Sequence, residues 1–298
     1  MNGILVLDKP QDFTSHDCVA VIRKLTGVKK VGHTGTLDPM AEGVLPVCIG
    51  RATRIIEYLE ESGKEYRCTM QLGIATDTFD IWGNVIEKKT GMKIPEEKII
   101  SAVMAQTGDM MQTPPIYSAI KIKGRKLYDY ARSGQKIIIE PRPVHIESIV
   151  INDIRGMEAE FTVRCSRGTY IRSLCSDIGR SLGCGAAMSA LTRVSSGPFR
   201  IEDSVSMGDL RRMSAAEIEA LLIPMDFPLD RFMRTDISTE EAKDLIDGKV
   251  IGEHSTASDK DCGAVLKRVY CDGAFIGIAE SAEGKLKAKK ILYPEFSK

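Results

Sequence analysis

The sequence predicts a mixed α/β (α+β) chain that ends in a small β-rich unit. Three observations carry this. Segments with apolar residues at i, i+3, i+4 and i+7 interleave with segments of strict alternation. This interleaving continues to about residue 228. Beyond Thr235 one short helical pattern is followed only by short β-like runs.

The elements follow in order. Ile4-Leu5-Val6-Leu7 reads as a short buried strand. Ser15 is placed to cap a helix whose inward positions are Cys18, Val21, Ile22 and Leu25, and Gly27 ends it. Ala52, Ile55, Ile56 and Leu59 repeat the helical spacing up to Gly63. From Lys64 to Gly73 the period becomes two, with Tyr66, Cys68, Met70 and Leu72 on one face and Arg67, Thr69 and Gln71 on the other. Pro95 starts a helix with Ile99, Val103 and Met104 inward. Residues 143–151 and 158–166 read as two strands joined by a turn near Gly156, and a helix runs from Tyr170 to Leu182. Pro224, Pro228 and the acidic stretch from Asp209 to Asp247 mark a boundary, giving domains 1–228 and 235–298. In the second, a helix over Thr239–Ile246 precedes β-like runs at 265–270, 274–280 and 286–292, the pattern of a small β-barrel.

Composition narrows the function classes. The 298 residues are 43% hydrophobic and 28% charged, as in ordinary globular proteins. No apolar run approaches the ~18 residues of a membrane span. Ile4–Leu7 is too short for a signal-peptide core, and Asp8 follows it, so a cytoplasmic location is expected. Eight cysteines include no Cys-x-x-Cys pair, which points to reduced, mostly buried thiols and no metal site. Net charge is zero, but residues 121–142 carry seven basic side chains against Asp129 and Glu140. Residues 164–180 add Arg164, Arg167, Arg172 and Arg180 against Asp177. Two basic segments flanking one candidate site fit a polyanionic substrate.

The densest signal is Gly32-His33-Thr34-Gly35-Thr36-Leu37-Asp38-Pro39-Met40-Ala41-Glu42-Gly43-Val44-Leu45. Glycines permit close backbone approach, and Pro39 pushes Asp38 into an extended conformation. On composition alone this is a Gly/Thr-rich turn; a phosphate nest is a second reading, weakened by the missing Gly-Lys-Ser/Thr ending. Taken whole, the segment resembles the catalytic motif of the TruB family of tRNA pseudouridine synthases, G-H-x-G-x-L-D-P-x-A-x-G-x-L. Cys165-Ser166-Arg167-Gly168-Thr169-Tyr170-Ile171-Arg172-Ser173-Leu174 resembles the family's second signature. Lys64-Glu65-Tyr66 resembles its K-x-Y motif, Thr76–Gly83 its T-D-T-x-D-x-x-G motif, and Lys9-Pro10 an N-terminal motif near the site. Leu191-Thr192-Arg193 resembles a segment in which two arginines more often follow the leucine, so Thr192 is a departure.

The resemblance implies a pseudouridine synthase domain built on a mixed, largely antiparallel sheet flanked by helices, with a cleft across it. It implies Asp38, Tyr170 and Arg172 as catalytic residues, Arg172 pairing with Asp38. Tyr66, Leu191, His33 and Lys9 would bind substrate: Tyr66 and Leu191 on the extracted base, His33 in the gap the base leaves. The stretch 114–142 resembles the family's RNA-gripping element, with Lys121, Lys123, Arg125, Lys126 and Arg132 reaching RNA. Position and Lys285, Lys287, Lys289 and Lys290 liken residues 235–298 to a PUA-type RNA-binding domain. The implied reaction is conversion of uridine 55 in the tRNA T-loop to pseudouridine. As an isomerisation it needs no cofactor, and no obligate protein partner is expected. The carboxylate could attack ribose or base, or stabilise a glycal-like intermediate. The competing classes are a non-catalytic tRNA-binding or folding module, a synthase for another RNA, and a nucleotide enzyme using the Gly/Thr loop.

Overall fold

The computed structural model describes residues 1–59, 63–118, 120–122, 124–133, 135, 137–253 and 264–293. Its centre is a ten-stranded mixed sheet. The path runs Val205–Ser206, Gly3–Lys9, Glu42–Ile49, Ala186–Ser196, Lys64–Leu72, Glu158–Cys165, Arg142–Arg155, Gly108–Gln112. Only the pairings of Gly3–Lys9 with Val205–Ser206 and of Glu42–Ile49 with Ala186–Ser196 are parallel; the others are antiparallel.

Alternation in Lys64–Leu72 holds, with Tyr66, Cys68, Met70 and Leu72 buried. They pack with the apolar stripe of the helix Ile171–Ser181: Ile171, Leu174, Cys175 and Ile178. Glu42–Ile49 is instead buried almost continuously, because apolar clusters cover both its faces. The expected helix near 52–59 is a tighter 3₁₀ segment, Gly50–Ile55, followed by one α turn, Ile56–Leu59. Met104, expected inward, is 45% exposed because the helix Glu96–Met104 ends there.

Thr14, not Ser15, caps the first helix, Ser15–Thr26, in a reciprocal box with Asp17. Ser15 is thereby freed to turn inward. Its hydroxyl donates to the Leu37 carbonyl at 3.2 Å and accepts from the Leu37 amide at 2.9 Å, fixing the residue before Asp38.

The C-terminal region is an open five-stranded sheet of order Met233–Asp236, Val265–Cys271, Ala274–Ala282, Lys285–Ile291, Ile251–Gly252. The expected barrel is therefore a half-barrel among the described residues, and Ala242 and Leu245 of the helix Thr239–Ile246 join its core. It does not stand apart. Tyr270, Phe275, Ile278 and Leu292 share one apolar cluster with Ile4, Val44, Ile55 and Leu229. No helix among the described residues is long and apolar enough to cross a membrane. The seven described cysteines are buried and unbridged; Cys262 lies outside the described residues.

Candidate active site

A cavity of about 670 Å³ opens across the middle of the large sheet. It is lined by Asp38, Tyr66, Tyr170, Arg172 and Leu191, five side chains from four separate segments of the chain. Its lining also holds Lys64, Arg142, Arg167 and Arg193, so five cationic residues face one acidic one.

The Asp38 loop is held from several directions. Behind it, fully buried Lys9 donates to the Pro39 carbonyl at 3.1 Å and the Pro10 carbonyl at 2.9 Å. The Asp12 amide also donates to Pro39, at 2.9 Å. Lys9 is thus placed under the loop and outside the cavity lining. The loop leaves through Gly43, where φ is +97° and a Cβ would lie 2.3 Å from the Arg193 carbonyl oxygen. Only glycine fits there.

Arg172 gathers the site. It is 6% exposed, and its Nε lies 2.9 Å from Asp38 Oδ2. Nη1 is 3.5 Å from Asp80 Oδ2 and donates to the Thr78 carbonyl at 3.1 Å, while Nη2 donates to the Tyr117 carbonyl at 2.9 Å. Burial pushes the Asp38 carboxyl above its ordinary range, Arg172 opposes this, and Asp80 adds to it. Asp80 is itself fixed, accepting from Thr78 Oγ1 at 2.7 Å and the Trp82 amide at 3.2 Å. The T-D-T-x-D-x-x-G motif carries Asp80, but its place beside Arg172 follows only from the fold.

Tyr66 and Leu191 lie on adjacent strands, Lys64–Leu72 and Ala186–Ser196, where Arg193 is the register partner of Tyr66. Burial raises the Tyr66 phenol above its usual range, and the adjacent Arg193 guanidinium opposes it. Arg193 is fully buried, with Nε on the Val44 carbonyl at 2.7 Å and Nη2 on the Gly35 carbonyl at 3.2 Å. Nothing in the local Leu191-Thr192-Arg193 pattern marks Arg193 as a residue of the site. Thr192, between Leu191 and Arg193, lines a different recess beside Glu42. The departure from the family pattern therefore falls off the cavity.

Tyr170 stands at the N-terminal end of the helix Ile171–Ser181. Burial raises its phenol, with Ser118 opposing. His33 lies outside the cavity lining, with its ring edge-on to His16 at 5.4 Å between centroids. Its Nδ1 accepts from the Gly35 amide at 3.3 Å, and burial, with His16 and Arg193, lowers its pKa to about 4. Of the basic side chains expected on the gripping segment, Lys121 is exposed on a short hairpin strand. Arg125 folds back, donating to the Asp129 carbonyl at 2.8 Å, to Gln135 and to Ser133. Lys123 lies outside the described residues, as do the side chains of Lys126 and Arg132. Among the described residues no group of three or more His, Cys, Asp or Glu is arranged to hold a metal.

A carboxylate half-open to the cavity, paired with a buried guanidinium and sharing that cavity with two phenols and further cationic side chains, suits chemistry on one planar group of a polyanion. Comparison with known proteins identifies the class. The family model "TruB family pseudouridylate synthase (N terminal domain)" matches residues 23–171, and "tRNA pseudouridylate synthase B C-terminal domain" matches 172–230. The chain belongs to the TruB family of pseudouridylate synthases. It is 40% identical to the tRNA pseudouridine synthase B of Clostridium tetani, over 98% of this chain and all of that one. With its counterpart from Alkaliphilus oremlandii it shares 41% over the whole of both chains. Among solved structures, an archaeal box H/ACA Nop10–Cbf5 complex matches at a TM-score of 0.74 and 25% identity, covering 99% of this chain and 88% of that one. An H/ACA RNP bound to a substrate RNA containing 2′-deoxyuridine gives 0.73 at 25% identity, covering 99% and 86%.

Proposed function

We propose that this chain converts uridine 55 in the T-loop of tRNA to pseudouridine, in the cytoplasm and without a cofactor or obligate protein partner. The observation that carries the proposal is the Asp38–Arg172 pair, 2.9 Å apart at the foot of the cationic cavity. Relatives named tRNA pseudouridine synthase B support tRNA as the substrate.

The reaction breaks the bond from ribose C1′ to uracil N1, turns the base, and joins C1′ to C5. The C5 proton leaves and N1 gains one, so nothing is oxidised. Asp38 acts as a carboxylate, either as nucleophile or as stabiliser of the intermediate. Arg172 keeps it ionised where burial works against ionisation. Tyr66 and Leu191 give the flipped base an aromatic and an aliphatic surface in place of its lost stacking. The Tyr170 hydroxyl relays the C5 proton, its oxygen accepting that proton as it passes its own hydrogen on to solvent, so the phenol ends neutral. His33, neutral with its Nδ1 engaged, fills the gap left in the RNA stack. Lys9 serves from behind, by fixing the Pro39 carbonyl next to Asp38. Lys64, Arg142 and Arg167 at the cavity and Lys121 on the 114–142 segment meet phosphates. Residues 1–228 form the catalytic domain and 235–298 a second RNA-binding unit, with Lys285 and Lys287 exposed on one strand.

The test is release of tritium from tRNA labelled at uridine C5, since only base isomerisation frees that hydrogen. A folding module would bind tRNA and release none. A synthase for another RNA would release it from that RNA instead.

A further inference from the structure

The stretch 113–141 leaves the large sheet after Gln112 and re-enters it at Arg142, and these two residues are register partners across one antiparallel pair. The segment that grips RNA therefore hangs from a single stem. Arg142 lines the cavity. Gln112 is 1% exposed, and its side chain makes a two-point contact with the backbone of one active-site residue, Tyr170. Its Oε1 accepts from the Tyr170 amide at 2.8 Å, and its Nε2 donates to the Tyr170 carbonyl at 3.1 Å.

The Tyr170 amide needs a partner outside the helix. Tyr170 heads the helix in an extended conformation (φ −103°, ψ 110°) and makes no side-chain cap. The amides at a helix N-terminus have no partner within the helix, and a buried amide left unpaired is costly. The Tyr170 carbonyl also accepts its helical bond from the Leu174 amide at 3.1 Å, so both acceptor positions of this oxygen are used. Two further contacts follow along the stem. Ser173 Oγ donates to the Thr113 carbonyl at 2.9 Å, and Arg172 Nη2 to the Tyr117 carbonyl at 2.9 Å. The start of the gripping segment is thus fastened, contact by contact, to the first turn of the helix that carries Tyr170 and Arg172.

We infer that Gln112 is a positioning residue that sets the Tyr170 phenol and ties it to the RNA-gripping segment. The inference rests on the proposed function, in which Tyr170 handles the C5 proton. Gln112 does not line the cavity and has no bond to Asp38; it acts through the Tyr170 backbone.

The experiment is a double-mutant cycle on the full chain, with Gln112→Met, Tyr170→Phe and the pair. Methionine keeps the length and bulk of the side chain and removes both hydrogen bonds. Single-turnover tritium release at saturating C5-labelled tRNA, the RNA dissociation constant and the melting temperature are measured for each. Gln112→Met is expected to slow release roughly 10- to 100-fold, the scale of a misplaced catalytic group. RNA affinity, held by phosphate contacts, should change little. In the Tyr170→Phe background the same substitution should cost almost nothing more, because the group it positions is gone. A merely structural role would give the same loss in both backgrounds, and that result overturns the inference. So does a Gln112→Met enzyme as fast as wild type, or one whose whole defect lies in RNA affinity. If Gln112→Met does not fold, Gln112→Glu keeps the acceptor for the Tyr170 amide, sets an oxygen in place of the donor against the Tyr170 carbonyl, and is carried through the same cycle. A wild-type chain that releases no tritium sinks the proposed function together with this inference; an active wild type matched by Gln112→Met sinks the inference alone.

Discussion

Asp38→Asn should abolish chemistry while leaving the fold as stable as before, or more so. Arg172 has four partners: Asp38, Asp80 and the carbonyls of Thr78 and Tyr117. Asparagine retains an oxygen for the bond from Nε, and Asp80 still balances the charge. The Asp38 carboxyl is held above its ordinary value of 3.8, burial outweighing Arg172. A group with a raised folded pKa favours the fold below its unfolded pKa, and that advantage is lost as pH rises through the folded value. At neutral pH the ionised carboxylate is therefore a net burden, which asparagine removes. The melting temperature of Asp38→Asn should equal or exceed that of wild type at neutral pH. The gap should close as pH falls towards the ordinary carboxylate range. Turnover should drop by at least about 10⁴-fold, the scale seen when an essential nucleophile is lost. Arg172→Met reverses the pattern, because it strands two carboxylates and two carbonyls. Removing one partner of a buried pair, here Arg172 from the enclosed Asp80, costs about 3–5 kcal/mol. At ~2–4 °C per kcal/mol for a large domain, melting should fall by roughly 6–20 °C. Thermal melts across pH and single-turnover tritium release read both quantities. An Asp38→Asn protein that melts far below wild type at neutral pH, or that keeps more than about 1% of turnover, refutes the reasoning.

Three other outcomes follow from the geometry. His33, with a pKa near 4, should show imidazole resonances titrating there by NMR; because its pKa is depressed, it costs the fold stability as pH falls from 6.5 towards 4, and His33→Asn should remove that cost. A titration above 6.5 would contradict the buried, Gly35-bonded ring. Gly43→Ala should lower stability in urea melts by more than the ~1–3 kcal/mol of a strained left-handed residue, since a contact with the Arg193 carbonyl adds to it; unchanged stability would mean the two strands do not approach as closely as described. Arg142→Ala should reduce the magnitude of the salt slope of tRNA binding by about 0.7–0.9. Arg125→Ala should reduce it less, because that guanidinium is already committed to Asp129, Gln135 and Ser133; the reverse ranking would show that Arg125 swings out to the RNA.

Much of the site was legible because its residues sit in short, rigid, unusual stretches. Asp38, Tyr66, Tyr170, Arg172 and Leu191 stand in four separate motifs, and the fold places them around one cavity. Less legible were residues whose meaning depends on what lies across the sheet. A lysine at a strand end, such as Lys9, reads as exposed; its burial depends on the Pro39 carbonyl, thirty residues on. The weak alternation of Ala186–Ser196 concealed that Arg193 lies beside Tyr66. Asp80 reads as a polar turn residue until Arg172 is brought to it from 92 positions later. The C-terminal strands were visible, but not their shared apolar cluster with Ile4 and Val44, because nothing local in a strand says which distant surface it will cover.

The same cavity must be dry enough to hold an unstacked base and charged enough to hold a carboxylate, and these demands conflict. Burial raises both phenols and the Asp38 carboxyl together, which taken alone would leave the site neutral and inert. The fold answers with two buried arginines, each held by backbone carbonyls. Arg172 is anchored on Thr78 and Tyr117, and Arg193 on Val44 and Gly35. Carbonyl oxygens satisfy guanidinium hydrogens without cancelling the positive charge, whereas a carboxylate partner would. Arg193 has no carboxylate within ion-pair distance among the described contacts, and Arg172 has only Asp80 besides Asp38. Arg193 thus keeps its whole charge for the neighbouring Tyr66, while Arg172 divides its charge between Asp38 and Asp80, both arginines being fixed on a strand and a helix end. That is electrostatic preorganisation in the form a base-isomerising site requires.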